Sequence, residues 1–154
     1  MVYRLPAACR PVLRALAGLA MRALPLRCLV CGEPGSDGQD LCVACRLALP
    51  VPLHACPRRG VPLPAGGTCA HCLRRLPSLQ EVHAAFIYRA PVDRLLGRHK
   101  FHHDLAAGRL LAQLMAGAFA GGTRAAAMVP VPLHGSRLRR RGFDQALELA
   151  RPPP

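Results

Sequence analysis

The sequence has few of the groupings that catalysis uses and few of the side chains on which bases stack. It contains no tryptophan, four phenylalanines and two tyrosines, so base stacking has little support. It also contains no two acidic residues in a row, no recognisable nucleophile–base couple and no glycine-rich phosphate loop. An enzyme that uses some unrecognised site is therefore the weakest of the functional hypotheses.

Long apolar runs are missing as well. The longest uncharged stretch near the amino terminus, from Ala15 to Met21, is too short to span a bilayer, and Arg14 and Arg22 flank it. We predict a basic amphipathic helix over residues 1–24 that packs on the chain that follows it. Export or surface anchoring by a signal-like segment is the alternative. We expect a cytoplasmic protein with no stable membrane insertion.

Lysine is almost absent, whereas arginine is abundant. The chain has one lysine, Lys100, and a formal charge of +13, which makes a polyanion partner plausible. The densest basic run precedes Gly142 and suits pyrophosphate or a nucleic-acid backbone, because guanidinium groups bind phosphate oxygens in pairs. Its members are Arg137, Arg139, Arg140 and Arg141. The alternative for this run is a solvated basic loop. A lone lysine among arginines suggests that a compact ammonium group is needed at Lys100, and the alternative is that its presence there is chance.

Cysteine is present in quantity, and its spacing indicates metal. Six of the eight cysteines form three Cys-x-x-Cys pairs, a spacing that lets two thiolates reach one ion. The first two pairs are separated by a turn-rich loop and predict one complete tetrahedral zinc site; disulfides or free thiols are the alternative. Its ligands are Cys28, Cys31, Cys42 and Cys45.

A second set of cysteines lacks one member. The segment Cys56-Pro-Arg-Arg-Gly resembles another knuckle, but Arg59 stands where the second cysteine belongs. Cys56 is left with Cys69 and Cys72, and the fourth ligand would be His54, His71 or water, unless the site is weak or empty. The lone Cys9 is predicted to be a small buried residue or an incidental thiol.

The second half of the chain has an alternating order of predicted elements. Pro91 begins one helix whose apolar face carries Val92, Leu95, Leu96 and His99, and Asp104 caps a longer one. Strands are predicted over 81–88 and 127–134. The prolines of the second segment exclude an ordinary central strand there. A loop is predicted over 135–142 and a two-turn helix over 143–150. We interpret His99, His102 and His103 as surface residues. This order is typical of the opening of an α/β domain.

The paired knuckles, followed by "AAFIYRAPVDRLLGRHKF" and "VPVPLHGSRLRRRGFDQALELA", resemble the ComF/GntX family of phosphoribosyltransferase-like proteins, which is associated with DNA uptake in natural competence. The resemblance covers about residues 24 to 151. It implies a small zinc-ribbon module followed by an incomplete α/β domain of the type I phosphoribosyltransferase kind. The domains would be an amino-terminal helix (1–24), a zinc-ribbon region (25–78) and a truncated phosphoribosyltransferase-like part (79–154).

Two departures from the family pattern affect its expected sites. The family has cysteine in place of Arg59, which puts the second zinc in question, and asparagine in place of Asp144, whose carboxylate should repel phosphate. The resemblance implies phosphate or nucleic-acid contacts from Lys100, the four arginines, Gly142 and Gln145. The acidic pair and threonine-rich turn that hold phosphoribosyl pyrophosphate and Mg²⁺ in the family have no counterpart, since the only threonines are Thr68 and Thr123.

These observations support two functional hypotheses. The first is a ComF-like protein linked to DNA uptake, with zinc as its cofactor and Mg²⁺ only in a full-length relative, and catalytically inactive as it stands. We expect it to bind single-stranded DNA or another polyanion weakly, and to work with proteins of DNA uptake. The second is a stand-alone zinc-ribbon module that binds nucleic acid or an acidic partner.

Overall fold

The computed structural model describes residues 26–122 and 125–151, so the predicted helix over 1–24 and Cys9 lie outside the described residues. The described ranges contain six helices, no extended strand and three isolated β-bridges. The helices are α1 (Val43–Leu47), α2 (Ala70–Arg74), α3 (Val92–Phe101), α4 (Leu105–Ala118), α5 (Gly135–Arg141) and α6 (Gln145–Ala150).

Helices α3 and α4 form a hairpin, and both were predicted from the sequence. Val92 and Leu95 are buried on one face of α3, as the apolar spacing indicates. Asp104 caps α4 by accepting a hydrogen bond from the backbone nitrogen of Ala107 at 3.0 Å. The helix ends at Ala118, just before the predicted break at the paired glycines.

The main hydrophobic core joins this hairpin to the first cysteine ribbon. Cys28 and Leu41 from the ribbon pack with apolar residues of the hairpin, namely Leu95, Ala107, Leu110, Leu111 and Leu114. Partly buried Leu149 of α6 packs against the same cluster. The core therefore crosses residue 78, where the sequence places a domain boundary, and the boundary itself stays a prediction.

Two arginines of the hairpin hold the ribbon at the edge of this core. Arg98 donates a hydrogen bond to the carbonyl oxygen of Leu29 at 2.7 Å and also pairs with Asp104 at 2.6 Å. Arg109 pairs with the largely buried Asp40 at 2.6 Å. These hydrogen bonds connect the backbone at Leu29 and the side chain of Asp40 to the hairpin. They hold the first cysteine group in a fixed orientation relative to α3 and α4.

The predicted strands over 81–88 and 127–134 are wrong, because neither segment forms a ladder in the structure. A strand needs a continuous run of paired backbone groups, whereas segment 81–88 makes isolated bonds to other segments, from the nitrogens of Val82 to Pro57 at 2.7 Å and of Ile87 to Pro50 at 2.7 Å. The second segment is instead open to solvent: Val129 is 84% exposed and Val131 is 79% exposed. Apolar content and β-branching alone led to the wrong prediction here.

The predicted loop over 135–142 is wrong as well, since Gly135–Arg141 forms helix α5. The His134 side chain accepts from the backbone nitrogen of Ser136 at the amino end. Gly142 ends the helix in the left-handed conformation, with φ of 74°, which glycine adopts without steric cost. A glycine directly after a basic last turn is a helix-stop signal that the loop prediction overlooked.

His99 is the third correction, because it is 1% exposed and not a surface residue. Its ring packs against Phe143, with centroids 5.1 Å apart, and neither ring nitrogen has a hydrogen-bond partner. Burial lowers the pKa of His99, so the neutral ring is the buried form. His102 and His103 are exposed, as predicted.

Among the described helices, none combines the length and apolarity required to cross a bilayer.

Candidate metal centres

The first cysteine pair lies in a tight knuckle. The backbone nitrogen of Gly32 donates to the carbonyl oxygen of Cys28 at 2.8 Å, and that of Cys28 donates to Glu33 at 2.7 Å. Gly32 has a φ of 82°, which a side chain would strain, and this lets the chain reverse directly after Cys31. The reversal keeps both thiols on one side of the turn.

The second pair begins helix α1. Cys42 is the N-cap residue, and its sulfur accepts from the backbone nitrogen of Cys45 at 3.4 Å. A helical turn between the two cysteines brings their thiols toward the first knuckle. The Sγ atoms of Cys31 and Cys42 are 3.6 Å apart.

The four thiols fit a zinc ion. One donor atom from each of Cys28, Cys31, Cys42 and Cys45 lies within 4.8 Å of every other. A tetrahedral zinc with Zn–S bonds of about 2.3 Å separates its sulfurs by about 3.8 Å, close to the distance found between Cys31 and Cys42. All seven described cysteines are free, which argues against the disulfide alternative.

Electrostatics supports the same assignment. Burial raises the pKa of the Cys28 thiol, but hydrogen bonds from the backbone of Cys42, Cys31 and Val30 outweigh it and lower the pKa to about 6. Burial and the neighbouring thiols raise the pKa of Cys45. The Cys28 thiolate thus forms readily while Cys45 resists ionisation, and a divalent cation offsets the repulsion between thiolates.

The second ribbon repeats the local structure of the first, with its knuckle 28 residues and its helical cysteine pair 27 residues further along the chain. The backbone nitrogen of Gly60, with φ of 65°, donates to Cys56 at 2.7 Å, and that of Cys56 donates to Val61 at 2.9 Å. The bridge Ala55–Pro62 repeats the bridge Arg27–Pro34. Helix α2 follows Cys69 as α1 follows Cys42, so the two ribbons share one local design.

The second group contains three thiols. Cys56, Cys69 and Cys72 lie with donor atoms within 4.8 Å of one another, and Arg59 occupies the position that Cys31 has in the first knuckle. Neither candidate for a fourth ligand joins the group: His54 and His71 are both exposed and outside it. The fourth ligand of this second group therefore stays a prediction.

Ionisation in the second group follows the pattern of the first. The backbone nitrogen of Cys69 bonds to the Cys56 sulfur at 3.4 Å and lowers the Cys56 pKa to about 7. Burial raises the pKa of Cys72 to about 11. Three thiols, of which Cys56 ionises more readily than an ordinary cysteine, suit a soft divalent ion.

The predicted phosphate-contact residues separate into two groups. Arg141 lies over the Phe101 ring, 5.1 Å from its centroid, and donates to Gln145 at 2.6 Å. Gln145 is largely buried and donates in turn to the carbonyl oxygen of Lys100 at 3.3 Å. The others form an exposed group on and just after α5, consisting of Arg137, Arg139, Arg140 and Gly142.

Asp144 has a structural role that the sequence did not indicate. Its carboxylate accepts from the backbone nitrogens of Ala146 at 3.0 Å and Leu147 at 3.2 Å, and so caps α6. It also accepts from Leu133 at 3.0 Å, which ties the segment before α5 to the start of α6. These hydrogen bonds lower the pKa of Asp144, and the bond from Leu133 has the largest effect. The carboxylate that was expected to repel phosphate is thus engaged by backbone nitrogens.

We expect Asp144→Ala to lower the free energy of unfolding by about 1 kcal/mol, because the first turn of α6 loses its cap. Asp144→Asn should keep most of that stability, since an amide oxygen also caps helices. Urea titration of both variants measures the difference. Equal loss in the two variants would mean that the charge, and not the cap, stabilises this end of the helix.

Comparison with known proteins adds to this geometry. Residues 19–73 match a family described as "Double zinc ribbon domain". The chain is 33% identical over 142 residues to DNA utilization protein YhgH of Salmonella typhi, covering 86% of this chain and 62% of that protein. It is 33% identical over 84 residues to Competence protein F of Haemophilus influenzae, covering 51% of this chain and 37% of that protein. No solved structure matches. The chain thus spans less than two thirds of the length of these curated relatives.

Proposed function

The chain belongs to the ComF/GntX-like family, and from this premise we propose that it is a zinc-binding, basic protein that contacts single-stranded DNA in DNA utilization. It would act in the cytoplasm beside other proteins of DNA uptake. The relatives' names mention DNA and competence, and the arrangement of cations on this chain supports a direct contact with the nucleic acid.

The observation that carries this proposal is the state of the arginines on α5. Elsewhere in the described ranges, Arg98 and Arg109 are engaged by Asp104 and Asp40. The ion pairs of the described residues include none of the α5 set, Arg137, Arg139 and Arg140, and all three side chains are exposed. Clustered guanidinium groups without carboxylate partners keep their capacity for phosphate oxygens.

An aromatic ring lies against Arg141, the last residue of the same helix. Phe101 is 62% exposed and in contact with the Arg141 guanidinium. A base that stacks on such a ring adds about 1 to 3 kcal/mol, whatever its identity. With one ring of this kind near the helix, we expect weak, sequence-tolerant binding that depends chiefly on phosphate contacts.

We expect Arg137/Arg139/Arg140→Ala to reduce the affinity for a fluorescent oligothymidylate and to flatten its salt dependence. Each phosphate contact on a single strand releases about 0.7 counterion, so the log–log salt slope should fall by about 2. Anisotropy titrations over a range of salt concentrations measure both quantities. The matched control is Arg58/Arg74/Arg75→Ala, which removes an equal number of positive charges from the second ribbon.

The control distinguishes DNA binding by a local surface on α5 from nonspecific attraction of DNA to a chain of charge +13. A larger effect of the α5 variant supports the proposal. Equal effects of the two variants would locate no DNA site on α5. Binding of an acidic peptide, but of no DNA, would instead favour the stand-alone module with an acidic partner.

We also propose that this chain does not transfer phosphoribosyl groups. It has no adjacent acidic residues to hold ribose hydroxyls and Mg²⁺, and Thr68 lies in the second ribbon, far along the chain from α5 and α6. Calorimetry with phosphoribosyl pyrophosphate and Mg²⁺ should give no measurable heat of binding. Micromolar affinity would contradict the proposal and point to a site that the sequence motifs do not indicate.

A further inference from the structure

We propose that the second ribbon holds one zinc ion on Cys56, Cys69 and Cys72, and that its fourth coordination position is open to solvent and takes an external thiol. This goes beyond DNA binding, because it assigns the ribbon a site for a small ligand. The repeat between the two ribbons shows where the missing donor would lie.

The fourth position is located by the matching hydrogen bonds of the two knuckles. Gly32 donates to Cys28 at 2.8 Å and Gly60 donates to Cys56 at 2.7 Å, so residue 59 takes the place of Cys31 in the turn. Cys31 is the exposed member of the first group, whereas Cys28 is buried. Loss of the matching thiol therefore opens the solvent side of the second centre and leaves its buried side intact.

The buried side retains enough donors to hold a metal. Cys56 is 0% exposed and Cys72 is 1% exposed, and Cys69 is partly buried beside them. Three protein ligands with an open fourth position are the usual composition of zinc sites that exchange a ligand, whereas four closed ligands are usual in structural sites.

No described side chain of the ribbon closes the gap. His54 takes the place of Leu26 in the repeat, its carbonyl oxygen accepts from Leu63 at 3.0 Å, and its side chain is exposed. His71 lies on α2 where Ala44 lies on α1, and it is exposed too. In the absence of a protein donor, water takes the fourth position.

Donor type favours a thiol as the replacement for that water, and the cation of Arg59 offsets the negative charge that the thiolate adds. Zinc on three thiolates carries one net negative charge, and the first knuckle shows that a fourth sulfur fits this turn. The exposed Arg59, which has no ion-pair partner among the described residues, lies where the added negative charge would develop. In the exchange, the thiol loses its proton to solvent as its sulfur binds zinc, and the bound water leaves.

The test uses the full chain loaded with Co²⁺, whose sulfur-to-cobalt absorbance reports the number of thiolate bonds. We expect two Co²⁺ per chain and, on addition of 2-mercaptoethanol, a rise of about one seventh in that absorbance, from seven bonds to eight. Arg59→Cys should start near the higher value and show no rise. Arg58→Cys, the matched control in the same knuckle, should respond as the unchanged chain does.

Each outcome decides the proposal. The proposal is overturned if the unchanged chain binds one Co²⁺, or binds two and shows no rise in absorbance with the thiol. Both of these measurements use the unchanged chain, so they stand even if Arg59→Cys fails to fold. A response to imidazole but not to thiol also overturns the assignment of the ligand. A second measurement supports it if a chelator removes the second zinc more than about tenfold faster from the unchanged chain than from Arg59→Cys.

Discussion

Cys28→Ser should unfold both the first ribbon and the α3–α4 hairpin. Cys28 is a zinc ligand candidate and also a member of the core that contains Leu95 and Leu110. Structural zinc contributes about 10 to 16 kcal/mol in zinc-finger peptides, as much as the whole stability of an ordinary domain. Far-ultraviolet circular dichroism should show most of the helical signal lost, and elemental analysis after chelator treatment should show loss of the first zinc, since the three remaining thiols bind it more weakly.

The second ribbon supplies the matched control for this variant. Cys69→Ser removes a thiol of the same kind, but no residue of the second cysteine group belongs to the core cluster. We therefore expect it to lose one zinc while the α3–α4 helices remain. Similar losses of helix in the two variants would show that the hairpin does not depend specifically on the first centre.

The metal groups could be predicted because their determinants are local. Two residues between cysteines and a glycine after the knuckle set the turn whatever the rest of the chain does, and the structure confirms the group of Cys28 with its three partners. The helices α3 and α4 could also be predicted from the sequence, because apolar periodicity and the cap at Asp104 are local signals.

The errors concern features that distant parts of the chain decide. Val129 and Val131 favour a strand by type, yet a strand exists only where a neighbour pairs with it. The apolar spacing of α3 places His99 on the buried face of that helix, but the residues that enclose its polar ring, on α4 and at Phe143, are distant in sequence. The core between Cys28 and the hairpin joins residues more than 60 positions apart, a long-range contact that no local pattern indicates.

Gly108→Ala should destabilise the hairpin by about 2 kcal/mol, although alanine is the better helix former. A Cβ atom at residue 108 would lie 2.5 Å from Nδ1 and 2.6 Å from Cε1 of the His99 ring. The ring is 1% exposed, so it has no free space into which to move. Chemical denaturation followed by circular dichroism measures the change.

A second glycine of α4 provides the control for that prediction. Gly117 is exposed and has nothing within 4 Å of an added Cβ, so Gly117→Ala should raise stability by up to about 1 kcal/mol. In the double variant Gly108→Ala/His99→Ala the new methyl group meets no ring, and its added cost should largely disappear. An additive double variant would mean that His99 is not the neighbour that requires glycine.

The same contact makes stability depend on pH. Burial lowers the pKa of His99 below its ordinary value of 6.5. Above that pH the ring is neutral in both states, but as the pH falls below 6.5 the unfolded chain binds the proton first and gains stability over the folded one. The free energy of unfolding should therefore decline more steeply below pH 6.5 in the unchanged chain than in His99→Ala. Because both proteins keep the same cysteines, acid release of zinc cancels in this comparison, and parallel pH profiles would show that His99 is not held neutral by its burial.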